Sequence, residues 1–300
     1  MRSGVVRTLM PVALMAACAA WLPPLARAAE PAVLTVLQGE ATLLVGARAL
    51  VAVAGARLPA GSIVETSEQT GLLRLEWADG SRLDLGASTR VMLQPAASPR
   101  SLAYVLRGVV KQTQSTPTAG QLSPAFELKP FQGVVVTQIG PDGAVLFAES
   151  GTEALIGRRG NVALALKAGQ AAVVEGDAPA RAQPRPPAGW LAAIPRAFRD
   201  TLPSRLAQFQ GPPPALKARP SPSYAAVMPW LVAEPLVRRE LPRRWAEWLA
   251  EPAFKDAVLA RLTQHPEWEP LVRPPPPRAA DRPGARRAAE TSASAPETPR

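Results

Sequence analysis

The chain has 300 residues, enough for one large domain or two small ones, with a formal net charge of +10, a single cysteine (Cys18) and a single histidine (His265). Those last two numbers exclude Ser-His and Cys-His mechanisms in most arrangements, thiolate metal sites, and any intrachain disulfide. The charge does not by itself point to nucleic acid: residues 1–28 carry +3, residues 29–180 carry −1 and residues 181–300 carry +8, without a clustered basic run.

Glycine and proline divide the chain. Of 21 glycines, 17 lie between Gly39 and Gly176, whereas 24 of 35 prolines lie from Pro179 onward, which puts a boundary near residue 178. The first 28 residues read as an export signal. Arg2 and Arg7 precede an uncharged run from Thr8 to Ala26, and Ala26-Arg27-Ala28 places small residues for cleavage between Ala28 and Ala29. The expected location is periplasmic. An uncleaved leader, or lipidation at Cys18 in the loose box LMAAC, would instead anchor the protein to the membrane by its N-terminus.

From Ala32 to Val174 the pattern is β. Runs such as AVLTVL, ATLLVG, LLRLEW, RLDL, RVML, GVVVTQI and AVLFAE each stop at glycine, proline or Asp-Gly. The expected fold of residues 29–178 is mainly β: an antiparallel short-strand roll or a solenoid-like sandwich. In EWADGSRLDL, a two-residue loop at Asp79-Gly80 would send Leu75 and Leu83 to opposite faces. A three-residue loop, Ala78-Asp79-Gly80, pairs Trp77 with Ser81, Leu75 with Leu83 and Leu73 with Leu85. Gly80 then takes the left-handed position of a G1 bulge. A second turn is expected at Pro141-Asp142-Gly143, with Gly143 left-handed and Ile139 paired with Val145. In both turns the aspartate has a sufficient role in bonding turn backbone, and neither supplies the ligand spacing of a calcium loop. Asp79, Gly80, Ser81, Pro141, Asp142 and Gly143 are therefore read as structural, with no metal and no cofactor.

Residues 179–189 read as an extended linker. Residues 190–272 read as a small α-helical region punctuated by proline. Pro252 opens PAFKDAVLARLTQ, whose apolar stripe is Phe254, Ala257, Val258 and Leu262, and Trp245, Trp248 and Leu249 form a similar stripe. The later tryptophans are either core of that region or an exposed aromatic surface. In the second case Trp230, Arg238, Arg239, Arg243, Arg244, Trp245 and Trp248 form a candidate partner surface. Residues 273–300 read as a disordered, basic and proline-rich tail.

Taken in order, VLQGEATLL, LPAGSIVET, LLRLEWADGSRLDL, STRVML, LRGVVK and LKAGQAAV resemble the FecR family over roughly residues 33–176. The resemblance implies a non-catalytic, mainly β extracytoplasmic domain, of the kind that relays a signal from an outer-membrane receptor to a sigma factor. The few residues ahead of the apolar run are too short for a folded sigma-binding domain. The expectation is therefore a cell-envelope binding, scaffold or signalling module for a protein partner, not an enzyme and not a binder of nucleic acid. The alternative is a binder of peptidoglycan or acidic polysaccharide that uses tryptophan stacking and the arginines. A third reading, hydrolysis by two carboxylates among Glu76, Asp79, Asp84, Glu149 and Glu153, needs acids held at different pKa values. Alternation places Glu76 on the solvent side of its strand, which counts against it.

Overall fold

The computed structural model describes residues 30–200 and 202–274. The predicted leader, with Cys18 and the Ala28-Ala29 cleavage step, lies outside the described residues, as does the predicted tail beyond Pro274. The chain is mainly β with a C-terminal helical region. The first strands are β1 (Ala32–Gln38), β2 (Ala41–Val45), β3 (Arg48–Val51), β4 (Arg57–Leu58), β5 (Ile63–Thr66), β6 (Leu72–Glu76), β7 (Arg82–Leu85) and β8 (Arg90–Leu93). They are followed by β9 (Ser101–Gln114), β10 (Gly120–Leu122), β11 (Phe126–Leu128), β12 (Gly133–Ile139), β13 (Gly143–Gly157), β14 (Val162–Lys167), β15 (Ala171–Glu175) and β16 (Arg181–Gln183).

These strands form two layers. The first sheet runs β16-β15-β13-β12-β9-β7-β6-β1-β4, and the second runs β3-β2-β5-β8-β9-β10-β11-β13-β14. Neighbours are antiparallel except β9 and β10, so the layers form a bent sandwich and not a stack of coils. Two strands are longer than the expected short ones because each serves both sheets. β9 leaves the second sheet after Arg107, which pairs with Arg90, and enters the first at Gly108, which pairs with Ile139. Gly108 has φ +100°, and a Cβ there would overlap Thr89, so glycine is what allows the corner. β13 turns in the same way at Gly151 (φ +95°), where its partners change from β12 to β14.

The interior between the sheets is apolar. Leu73, Leu75, Leu83 and Leu85 all face it from β6 and β7, together with Leu34, Val64, Val91, Val105, Phe126 and Leu146. Both outer faces are covered by the C-terminal half of the chain. Over the second sheet lie α2 (Tyr224–Leu231), α3 (Pro235–Arg238), α4 (Leu241–Trp245) and α5 (Pro252–Ala260), and their tryptophans pack on Leu44, Ile63, Met92 and Tyr104. Over the first sheet lies α1 (Trp190–Ala193), with Ile194 and Phe198 packed on Val36, Leu72 and Val136. Residues 206–219 pass between the two coverings along the edge of β3, where Val51 N donates to Lys217 O and Arg219 N to Ala49 O. The predicted linker is partly strand, since β16 pairs with β15.

Candidate functional site

The acidic turn is built for geometry. Leu73 pairs with Leu85, Leu75 with Leu83 and Glu76 with Arg82, and Trp77 N donates to Ser81 O at 3.0 Å. Gly80 has φ +84° and donates to Trp77 O, while Asp79 Oδ1 accepts from Ser81 N at 2.9 Å. The Ser81 hydroxyl donates to Gln114 Oε1. Among the described residues no group of three or more His, Cys, Asp or Glu side chains is placed to hold a metal ion.

The second turn differs from the expected one. Ile139 pairs with Ala144, Val145 pairs with Gln138, and Gly140 N donates to Gly143 O at 2.9 Å, so the loop is Pro141-Asp142, one residue shorter than the expected three-residue hairpin. Gly143 is not left-handed. It is the first residue of β13, and a Cβ there would run into the Val174 carbonyl of β15. Close strand approach, not turn conformation, therefore requires glycine at 143.

The candidate partner surface is largely internal. Trp230, Trp245 and Trp248 are buried, with Trp230 Nε1 donating to Glu65 Oε1 at 2.7 Å and Trp248 Nε1 to Ala47 O at 2.8 Å. The indole rings of Trp245 and Trp248 stack at 4.5 Å. Arg238 is tied to Glu267 at 2.9 Å, and Arg244 pairs with Glu240 at 2.7 Å and also donates to Gly61 O. Of that group only Arg239 and Arg243 are exposed. The reason is amphipathy: the face that carries the tryptophans is the one that meets the second sheet.

The carboxylates lead to a different place. Glu76 is not on a solvated face: it is 2 % exposed, because residues 202–205 lie over the outer face of the first sheet. Its carboxylate accepts from Thr35 Oγ1 at 2.6 Å, from Arg205 N at 3.0 Å and from the Ser204 hydroxyl. Beside it Arg74 holds Asp84 through two bonds of 2.6 and 2.7 Å, both side chains being buried. The cross-strand row continues from Asp84 to Lys111. Lys111 Nζ lies 2.9 Å from a carboxylate oxygen of Glu149, the residue skipped by a bulge in the β12–β13 register.

These side chains also grip main chain. Arg74 donates to Leu202 O at 3.1 Å and Pro203 O at 3.4 Å, Arg82 donates to Leu202 O at 3.2 Å, and Lys111 donates to Phe198 O at 2.6 Å. Burial pushes the Glu76 carboxyl up, but the bonds from Ser204, Thr35 and Arg205 and the charge of Arg74 outweigh it and hold it below its ordinary value. Burial works against the Arg74 charge, and Asp84 more than compensates. The cluster therefore consists of ionised groups that grip a peptide backbone. Thr35, Arg74, Lys111 and Ser204 were not singled out from the sequence. Their only trace there is the alternation of charges of both signs at positions 74, 76, 82 and 84, which reads equally well as a solvated face.

Glu153 is separate from that cluster. It is fully buried, lies opposite Leu166 of β14 just past the Gly151 corner, and neither carboxylate oxygen has a partner. Burial raises its pKa to about 7. His265 is likewise fully buried, 5.8 Å from the Tyr224 ring, and burial lowers its pKa. The helical region also carries an open groove of about 620 Å³ lined by Tyr224, Trp248, Phe254 and Arg261.

No family model matches the chain, and no curated protein matches it in sequence.

Proposed function

We propose that this chain is a non-catalytic, exported cell-envelope protein whose FecR-like β module serves as a binding or scaffold module for a protein partner. The observation that supports this best is the grip on residues 198–200 and 202–205: five of the contacts are to four backbone atoms, namely Phe198 O, Leu202 O, Pro203 O and Arg205 N. A surface that reads backbone in this way suits peptide recognition, in which main-chain bonds provide affinity and apolar anchors provide selectivity. The exposed pair Arg239 and Arg243 adds a basic patch on the helical side for an acidic partner.

The alternative, binding of peptidoglycan or acidic polysaccharide, is left with those two arginines and, among the described residues, without an exposed tryptophan to stack on a sugar, because Trp77, Trp190, Trp230, Trp245, Trp248 and Trp268 are all buried. The test is photocrosslinking in intact cells from probes at positions 239 and 243 and at exposed Ser204. A discrete protein adduct supports the module reading. Adducts confined to sacculi, and lost when the crosslinking is done at raised salt, would replace it with the glycan reading.

A further inference from the structure

We infer that the outer face of the first sheet is an exchangeable peptide site: residues 190–200 and 202–205 are its resident occupant, and an extended segment of a partner protein takes their place. The partner segment carries an aromatic anchor corresponding to Phe198 and a hydroxyl side chain six positions later corresponding to Ser204. This rests on the binding role proposed above and specifies the surface and its ligand.

The helices over the second sheet meet it through an apolar interface of Leu44, Ile63, Met92 and Tyr104 against tryptophans, which is how a permanent cover is built. The cover on the first sheet has a smaller apolar seat, Trp190, Ile194 and Phe198 on Val36, Leu72 and Val136, and its remaining part lies over Arg74, Asp84, Glu76 and Lys111, all buried. Buried ion pairs add little net stability compared with apolar packing of the same volume, so the charged part of this face contributes little to a permanent lid. It is well made for a removable one. Arg74 is already paired with Asp84 and Lys111 with Glu149, so when the cover leaves, each cation keeps a counter-charge and the face hydrates as an ordinary solvated sheet.

The occupant is loosely structured. Its regular structure is limited to the single turn of α1 and a 3-10 turn at Arg196–Phe198, and neither has a side-chain N-cap. The buried indole N–H of Trp190 finds no acceptor, and such an orphan donor detracts from the worth of its burial. Pro203, Ser204 and Arg205 are exposed. An open cleft of about 590 Å³ between the Gly140–Val145 turn and Trp190 leaves the leading end unsealed. A segment whose buried side chains are Trp190, Ile194 and Phe198, with the rest at least partly exposed, opens at lower free energy than the core.

The probe is a fluorescent synthetic peptide with the sequence of residues 190–206, titrated by anisotropy into the full-length protein and its Phe198→Ala variant. Weakening the resident segment raises the fraction of empty sites, so the variant is expected to bind the peptide about tenfold or more tightly than wild type. A peptide carrying Ser204→Ala is expected to lose most of that binding. Equal affinity of the peptide for wild type and a folded variant overturns the proposal. If Phe198→Ala does not fold, Ser204→Ala in the protein opens the site more weakly. A folded Ser204→Ala protein with no gain over wild type is then the refuting result. Peptide exchange without any protein adduct in cells would sink the cellular binding role and leave the site standing, whereas adducts without peptide exchange would do the reverse.

Discussion

Replacing Glu153 with glutamine tests the central electrostatic assignment of the β sandwich. The carboxyl faces the inter-sheet core beside Leu155 and Leu166, is fully buried, and has no hydrogen-bond partner. Burial raises its pKa from 4.5 to about 7. Between those two values the folded protein holds a proton that the unfolded chain has released, so stability falls as pH rises through that window and is level above it. At about 1.4 kcal/mol per pKa unit, the loss amounts to about 3 kcal/mol. Glu153→Gln has no such titration. Its stability should match wild type near pH 4 and exceed it by about 3 kcal/mol at pH 8. Urea denaturation followed by tryptophan fluorescence at several pH values measures this, with unchanged m-values confirming that the same transition is compared. His265 titrates in both proteins and cancels in the difference. A wild-type-minus-variant difference that does not change with pH would refute the reasoning, because it would mean that the carboxylate is hydrated or paired.

Arg74→Met leaves Asp84 buried without its partner and should cost about 3–5 kcal/mol in chemical denaturation, whereas adding Asp84→Leu should recover most of that loss. Gly108→Ala drives a Cβ into Thr89 at a left-handed backbone position and should cost about 2 kcal/mol or more by the same assay. His265 is held neutral by burial, its pKa lowered below 6.5. Stability is therefore present above pH 6.5 and lost as pH falls below it, and His265→Gln should flatten that acid limb in thermal melts. Arg239→Glu combined with Arg243→Glu should change stability by no more than about 0.5 kcal/mol, since both side chains are exposed, while abolishing crosslinks to an acidic partner.

Much of the β half was legible because its rules are local. The pairing of Leu75 with Leu83 follows from counting residues between two apolar runs and from one glycine that tolerates positive φ. Pro252 likewise announces the start of α5, and Phe254 and Val258 point inward from it. The second turn was misread for an instructive reason: Gly143 looked like a turn glycine, but it is there because β15 passes close by, and β15 is some thirty residues further along. The long strands escaped notice too, because Gly108 and Gly151 look like strand ends and are strand corners.

The candidate site was barely legible. Charges alternating with leucines along β6 and β7 have one meaning if the outer face is wet and another if it is covered, and alternation is the same in both cases. For Trp230 and Trp248 the ambiguity ran the other way: an amphipathic stripe declares that it will be buried, without naming the surface that receives it.

By itself the sequence determined the mainly β character of the first half, the hairpin at Asp79-Gly80 and the helices that open at proline, since periodicity and turn chemistry act among residues adjacent in the chain. Only the tertiary structure decided that residues 190–200 and 202–205 lie on the outer face of the first sheet, over both an apolar patch and a charged row, and 224–272 on the apolar face of the second. The choice between water and protein at Glu76 is made by Ser204 and Arg205, 128 and 129 residues away. Desolvation and pairing over that distance depend on how the whole chain packs, and local pattern carries no record of it.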